Sequence, residues 1–249
     1  MWDELPIPVV VGHRGDKLFA PENTLSSFRQ AAEKGADAVE FDVKLTADRH
    51  VIVLHDQMVD RTTDGVGNVA KLSLDDIKKY DAGIQFPGQF PNEKIPTLEE
   101  VFSLVGNRLM MNIELTNYAT PTDGLVVKVV DLVKKHRMER RVLFSSFFPW
   151  NLKLAGRLLP GTPRALLTMR GWKGSWGRSF GWQGDVDALN PFMTDINFRL
   201  LKRLHAAGKR VNAWTVTLEP DIKRMIGLGV DGIITGNPAL TLHLLGRVH

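Results

Sequence analysis

Glu40 and Asp42 lie two residues apart in the run AVEFDVKL, and residues two apart on a strand project to the same side. Both carboxylates then face one way, with Phe41 opposite. Two carboxylates this close raise each other's pKa unless a cation lies between them, and a hard divalent ion, Ca2+ or Mg2+, is the natural partner for their oxygens. Taken alone, the pair fits a solvated strand or an ion pair with Lys44, which shares the face, equally well. Glu114 tips the balance toward a metal cage. It follows the mostly apolar stretch Leu109-Met110-Met111-Asn112-Ile113, where an acid is costly to bury without a partner.

His13 and Arg14 close the apolar burst VVVGH. A histidine there is, by itself, most simply a structural one bonded to backbone. Arg14 beside it adds a guanidinium fork suited to phosphate oxygens. A second histidine, His55, comes into range if residues 38–44 and 50–55 form a hairpin. With the turn centred near Ala47-Asp48, His55 stands across from Glu40, and one residue of slip would turn it to the other face. Imidazole titrates near neutral pH and can both take and give a proton. A carboxylate-held metal, an arginine and two histidines together describe cleavage of a phosphate ester.

These residues belong to a chain of short β-branched runs alternating with helix-period segments, the sign of a parallel sheet with crossover helices. The runs are 9–13, 38–44, 50–55, 109–115, 142–146, 164–168, 186–190, 210–215 and 230–235, and the helical candidates include 24–34, 98–105, 121–135, 150–158, 196–207 and 220–228. Nine strands are one too many for an eightfold barrel. Leu45-Thr46-Ala47-Asp48-Arg49 is too short for the crossover that parallel strands need, so the third run must return antiparallel. The expected fold class is therefore α/β, a (β/α)8 TIM barrel in one domain over 1–249, with an insertion at about 48–96 after the second barrel strand. A doubly wound open sheet is the weaker alternative, because no glycine-rich dinucleotide fingerprint follows the first strand. In such a barrel the working face is where strands end. His13-Arg14, Glu114, Ser145-Ser146, Asn190 and Trp214 all lie at or near strand ends. Gly15 would let backbone come close to a ligand, and Pro21-Glu22-Asn23-Thr24 reads as a capped helix start.

Composition sets the outer bounds. With 43% hydrophobic and 24% charged residues among 249, the chain is an ordinary globular one, able to bury about three quarters of its unfolded surface. It has no cysteine, which excludes disulfides and thiolate chemistry, leaves any metal to oxygen or imidazole ligands, and fits a cytoplasmic location. The acidic N-terminal MWDELPIPVVVGH lacks a secretory pattern, and no window reaches the length of a membrane span. A net charge of +4 favours anionic partners weakly and does not indicate nucleic acid.

The motifs, taken in order, resemble those of the glycerophosphodiester phosphodiesterases. The matching pieces are HRG at His13, PENT at Pro21, EFDVKLTAD at Glu40, HD at His55, DRTTDGVG at Asp60, NIEL at Asn112, AWTV at Ala213 and DGIITGNP at Asp231, spanning nearly the whole chain. The resemblance implies a metal-dependent TIM-barrel hydrolase that releases sn-glycerol 3-phosphate and an alcohol from a small-molecule glycerophosphodiester. It implies Glu40, Asp42 and Glu114 as ligands of Ca2+ or Mg2+, His13 and His55 as acid and base, Arg14 as the phosphate's holder, and the insertion as a cap beside the barrel mouth. Trp214 would wall the glycerol moiety, though plain core packing accounts for it equally well. Two positions depart from the pattern. Thr116 stands where the family usually has a lysine, with Lys44 a candidate substitute, and Gly236 stands where aspartate is common. A noncatalytic phosphate or phospholipid binder is the alternative that Thr116 suggests.

Residues 164–185, RALLTMRGWKGSWGRSFGWQGD, fit the barrel pattern least. They interleave Trp172, Trp176, Phe180 and Trp182 with Arg170, Lys173 and Arg178 among five glycines. Rings with cations suit peripheral lipid contact through 170–182, and with it a lysophospholipid substrate. They also suit stacking on single-stranded nucleic acid, or a flexible lid beside the site.

Overall fold

Eight of the nine apolar runs pair in parallel and close into a ring. In the computed structural model, which describes residues 2–247, the strands are β1 (Val9–His13), β2 (Ala38–Leu45), β3 (Val51–Val53), β4 (Met110–Leu115), β5 (Val142–Ser146), β6 (Arg164–Thr168), β7 (Ala188–Pro191), β8 (Arg210–Ala213) and β9 (Gly232–Thr235). The order β1-β9-β8-β7-β6-β5-β4-β2 is closed by the pairing of β1 with β2, while β3 lies outside the ring on β2. Helices follow the barrel strands: α1 (Leu25–Glu33), α2 (Leu74–Ile77), α3 (Leu98–Val105), α4 (Leu125–Lys135), α5 (Pro149–Leu158), α6 (Ser175–Ser179), α7 (Phe198–Ala206), α8 (Glu219–Leu228) and α9 (Pro238–Leu244). Both α2 and α3 fall between β2 and β4. The fold is thus the (β/α)8 barrel that the alternation predicts.

The local choices are chemical. Thr24 caps α1 by accepting from the Ser27 amide, and Thr97 with Glu100 forms a capping box at α3. Along α4, Val126, Val129, Val130 and Val133 make one buried stripe, so the helix has a single face to bury. α4 begins at Leu125 rather than 121, because Gly124, with φ +78°, turns the chain and Asp123 accepts from the Leu125 amide. On β2 the alternation decides which side the acids take. Phe41 is fully buried in the layer between strands and helices, 5.4 Å from the ring of Phe28. Burial of such a ring stabilises by about 2–3 kcal/mol, and it commits Glu40 and Asp42 to the barrel interior.

β2 changes neighbours partway along one edge. β1 pairs with it as far as Glu40, and β3 takes over at Val43. Across the change, the Arg14 amide donates to the Glu40 carbonyl at 2.8 Å and the Leu54 amide to the Asp42 carbonyl at 3.0 Å. The hairpin is antiparallel as expected, but its register differs by one. Val43 faces Val53 and Leu45 faces Val51, so Phe41 rather than Glu40 would oppose residue 55, and the pairing ends at Val53. The cause is the turn. Ala47, Asp48 and Arg49 all lie in it, Arg49 at φ +70°, with the Thr46 hydroxyl donating to Asp48 and accepting from the His50 amide.

Between β2 and β4, residues outside the ring gather their own apolar cluster, including Ile52, Leu54, Val59, Val69 and Ile77. Within the aromatic stretch 164–185, residues 171–179 form a 3-10 turn (Gly171–Gly174) and α6. Gly15, at φ +86°, is required by packing. A Cβ there would run into Ser27 of α1.

Candidate active site

Glu40 and Asp42 reach the barrel mouth from β2 and Glu114 from β4, where Asp42 and Glu114 are ladder partners. One oxygen from each lies within 4.8 Å of the others. Burial first, and then the Asp42 and Glu114 charges, push the Glu40 carboxyl well above the usual range. Burial and Asp42 push Glu114 up to about 8. Each carboxylate has one oxygen occupied: Glu40 Oε2 accepts from the Arg14 amide (3.2 Å), Asp42 Oδ2 from Asn23 (3.0 Å) and Glu114 Oε1 from the Tyr118 hydroxyl (2.8 Å). The other three oxygens accept no hydrogen bond among the described residues. Three hard, half-free donors that repel one another in a buried place fit a divalent cation.

His13 sits at the end of β1 with its Nε2 3.7 Å from Glu40. On the other side of the ring, Nδ1 is 2.6 Å from Lys17 Nζ and 3.2 Å from Thr215 Oγ1. An ammonium only donates, so Nδ1 accepts and the neutral ring carries its proton on Nε2. Burial, reinforced by the charges of Lys17, Arg14 and His55, holds His13 well below the ordinary imidazole pKa. Burial and Arg14 likewise bring Lys17 down to about 8. Lys17 was not marked by its sequence context; it lies one turn past His13 in a loop whose course no periodicity reveals.

His55 reaches the site from a bend after β3 rather than from a paired position. It shares a cavity of about 740 Å³ with Lys44, Glu114 and Tyr118. Its Nδ1 is 2.5 Å from Asp56, whose other oxygen accepts from Arg61 Nε at 2.5 Å. Arg61 also donates to Glu22 (2.7 Å), and Glu22 accepts from Arg14 Nη1 (2.8 Å). An unbroken row of alternating charges therefore joins Arg14 to His55. Burial works against ionisation of Asp56, but Arg61 and His55 outweigh it and bring its pKa to about 2. Arg14, at φ +56°, also lies with Nε 3.4 Å from Asp42, so its fork is held in place by two carboxylates. Glu22, Asp56 and Arg61 fall inside motifs visible in the sequence, yet nothing in their spacing shows that they meet.

Lys44, on β2, turns toward Thr116 and donates to its carbonyl and its hydroxyl. Tyr118, Phe147, Phe148, Met58 and Met169 give the cavity an apolar wall. Tyr118 packs edge-on to Phe148 at 4.7 Å. Trp214 stands at the end of β8, edge-on to Phe147 at 5.6 Å and to Phe192 at 5.4 Å, its indole donating to the Asn190 carbonyl. The structure thus brings Arg14, Glu40, Asp42, Glu114 and both histidines to one mouth, with Trp214 on its apolar flank.

Comparisons with known proteins point to one family. The signature of the glycerophosphoryl diester phosphodiesterase family matches residues 13–240. A glycerophosphodiester phosphodiesterase of Caldanaerobacter subterraneus subsp. tengcongensis is 39% identical over 240 residues, covering 96% of this chain and 98% of the relative. One from Bacillus altitudinis is 35% identical over 233 residues, covering 92% and 94%. Among solved structures, a phosphodiesterase of Oleispira antarctica in complex with the product sn-glycerol-3-phosphate superposes with a TM-score of 0.85 at 29% identity, over 96% of this chain and 97% of the other.

Proposed function

The chain belongs to the glycerophosphoryl diester phosphodiesterase family, and from that premise we propose a metal-dependent hydrolysis of glycerophosphodiesters to sn-glycerol 3-phosphate and an alcohol, with His13 and His55 as the acid/base pair. The observation that carries this reading is the carboxylate trio, each member with a free oxygen, set beside Arg14 and His13. The product held by the Oleispira antarctica phosphodiesterase supports the same substrate class.

Glu40, Asp42 and Glu114 would hold Ca2+ or Mg2+, which when bound supplies charge compensation for the phosphoryl oxygens. Arg14, braced by Glu22 and Asp42, orients the phosphate. The substrate's glycerol 2-hydroxyl attacks phosphorus while one histidine accepts its proton and the other protonates the departing alcohol. Water then opens the resulting cyclic phosphate, with the two histidines exchanging roles. His13, kept neutral by burial and nearby cations and with its proton on Nε2, starts in a form able to give a proton toward the site. Asp56 fixes the His55 ring through Nδ1, leaving Nε2 for the substrate. Lys44 supplies the cation that Thr116 does not, which favours catalysis over passive binding.

Release of glycerol 3-phosphate from glycerophosphocholine or glycerophosphoethanolamine tests the proposal. Activity should vanish with chelator, return with Ca2+ or Mg2+, and fall about 100- to 10,000-fold in His13→Ala and in His55→Ala. No release from any diester with metal present would overturn it. The apolar wall of Phe147, Phe148 and Met169 favours one variant reading, a lysophospholipid as the diester. Choline release from lysophosphatidylcholine would distinguish it.

A further inference from the structure

The exposed apolar side chains of the barrel are concentrated at one end. Phe19 after β1, Trp150 after β5, Trp172 and Trp176 after β6, Phe198 after β7 and Leu218 after β8 are all exposed. Each of these loops leaves the C-terminal end of a barrel strand, the end that holds the carboxylates. In the segments that lead back into the strands, the exposed large apolar side chains among the described residues are Ile7 and Phe180, and those segments also present Arg108, Arg137 and Arg140. Surface apolar area gathered this way marks an interaction face.

The segment after β6 is built to hold its rings outward. Trp172 is 81% exposed and Trp176 60%, yet their backbone is not loose. Arg178 donates to the carbonyls of Met169 (2.9 Å) and Gly171 (2.5 Å) and pairs with Asp195 at 3.0 Å, while Asp195 accepts from the Gly171 amide at 2.8 Å. From 169 to 184 the chain has three cations and no acid. Arg170 and Lys173 are exposed and form no ion pair among the described residues, and Lys173 lies over the Trp172 ring at 6.0 Å. Indole rings beside unpaired cations match the headgroup zone of an anionic bilayer, apolar below and phosphate-rich above. The face is also continuous with the site, because Met169, at the start of this segment, lines the cavity that contains Glu114.

We propose that the strand-end face docks on an anionic lipid surface, with Trp172 and Trp176 entering the headgroup layer and Arg170 and Lys173 meeting lipid phosphates. The contact is with the surface, since no helix among the described residues is long and apolar enough to cross a membrane. The proposal requires neither the histidine pair nor the metal. It is tested by sedimenting the full chain with phosphatidylcholine vesicles that contain phosphatidylglycerol. The protein should pellet with them, be released by salt, and pellet less with phosphatidylcholine alone. Trp172→Ser with Trp176→Ser should weaken binding roughly tenfold or more, and Arg170→Gln and Lys173→Gln about fivefold each, with thermal unfolding unchanged as the check on folding. Failure to bind these vesicles, or binding indifferent to those substitutions, would overturn it. So would a dimer that the tryptophan substitutions dissolve, which would make a second copy the occupant, or tighter retention by a single-stranded oligonucleotide.

Discussion

Lys44 Nζ donates to both the carbonyl and the hydroxyl of Thr116, each at 3.1 Å, and the Thr116 hydroxyl in turn donates to the Val43 carbonyl at 2.7 Å. The two residues stand at the ends of neighbouring strands β2 and β4, beside Glu114. An ammonium thus lies next to Thr116, the position where the resemblance leads one to expect a lysine, delivered from the adjacent strand. Burial lowers its pKa, while Asp42 and Glu114 act in the opposite direction.

Removing that charge should matter. Lys44→Met is expected to lower kcat/KM on a glycerophosphodiester by roughly 10- to 100-fold, the range of one charged hydrogen bond. Restoring a cation from the other strand, in Lys44→Met with Thr116→Lys, should recover much of the loss. Steady-state kinetics of the single and double variants decide the matter, and full activity in Lys44→Met would remove the role.

Asp56 gives a pH signature. Its pKa is depressed from 3.8 to about 2 by Arg61 and His55 against the pull of burial. A depressed carboxylate contributes stability that is complete above its unfolded value and is lost as pH falls through the folded one. Asp56→Asn should therefore be less stable than the parent above pH 4 or so, by about 1 kcal/mol once solvent screening of this partly exposed group is allowed for. The difference should close as pH falls toward about 2. Urea unfolding at several pH values measures it. The same variant should lose activity at neutral pH, because the His55 ring is no longer oriented.

Tyr118 links the carboxylates to the apolar wall. Its hydroxyl donates to Glu114 at 2.8 Å and accepts from the Phe147 amide at 3.1 Å. Tyr118→Phe leaves Glu114 unanchored, and metal affinity is expected to fall about 10- to 100-fold. Titration of the metal-stripped protein with Ca2+ or Mg2+, read by calorimetry, gives the number without relying on turnover.

Metal should also stabilise the fold. At a hundredfold excess over Kd, a cation bound only by the folded protein adds about 2.7 kcal/mol. Glu114→Gln should abolish most of that gain in the melting temperature. A gain that persists in the variant would place the cation elsewhere.

Much of this architecture was legible in the chain. The alternation of Glu40, Phe41 and Asp42 predicts two carboxylates on one side, and the buried Phe41 puts them inside the barrel. The five-residue link after Lys44 could hold no crossover, which removed the ninth strand from the ring. Contacts made through space were harder to see. Arg61 meets Glu22 across 39 residues of sequence, and no periodic signal encodes such an encounter. The hairpin register failed for a local reason, since Arg49 adopts a conformation that non-glycine residues seldom take and shifts the pairing by one.

The handover on β2, from β1 below Glu40 to β3 above Val43, has an evolutionary consequence. The ring and β3 share this one strand. The ring strands and their ends carry His13, Arg14 and the three acids, and the segment after β3 carries His55, Asp56 and Arg61. These residues run from His13 to Glu114, so a segment exchanged whole between Arg61 and Glu114 leaves all of them with one parent. A single splice anywhere between Arg14 and Glu114, by contrast, would divide one working unit between two parents.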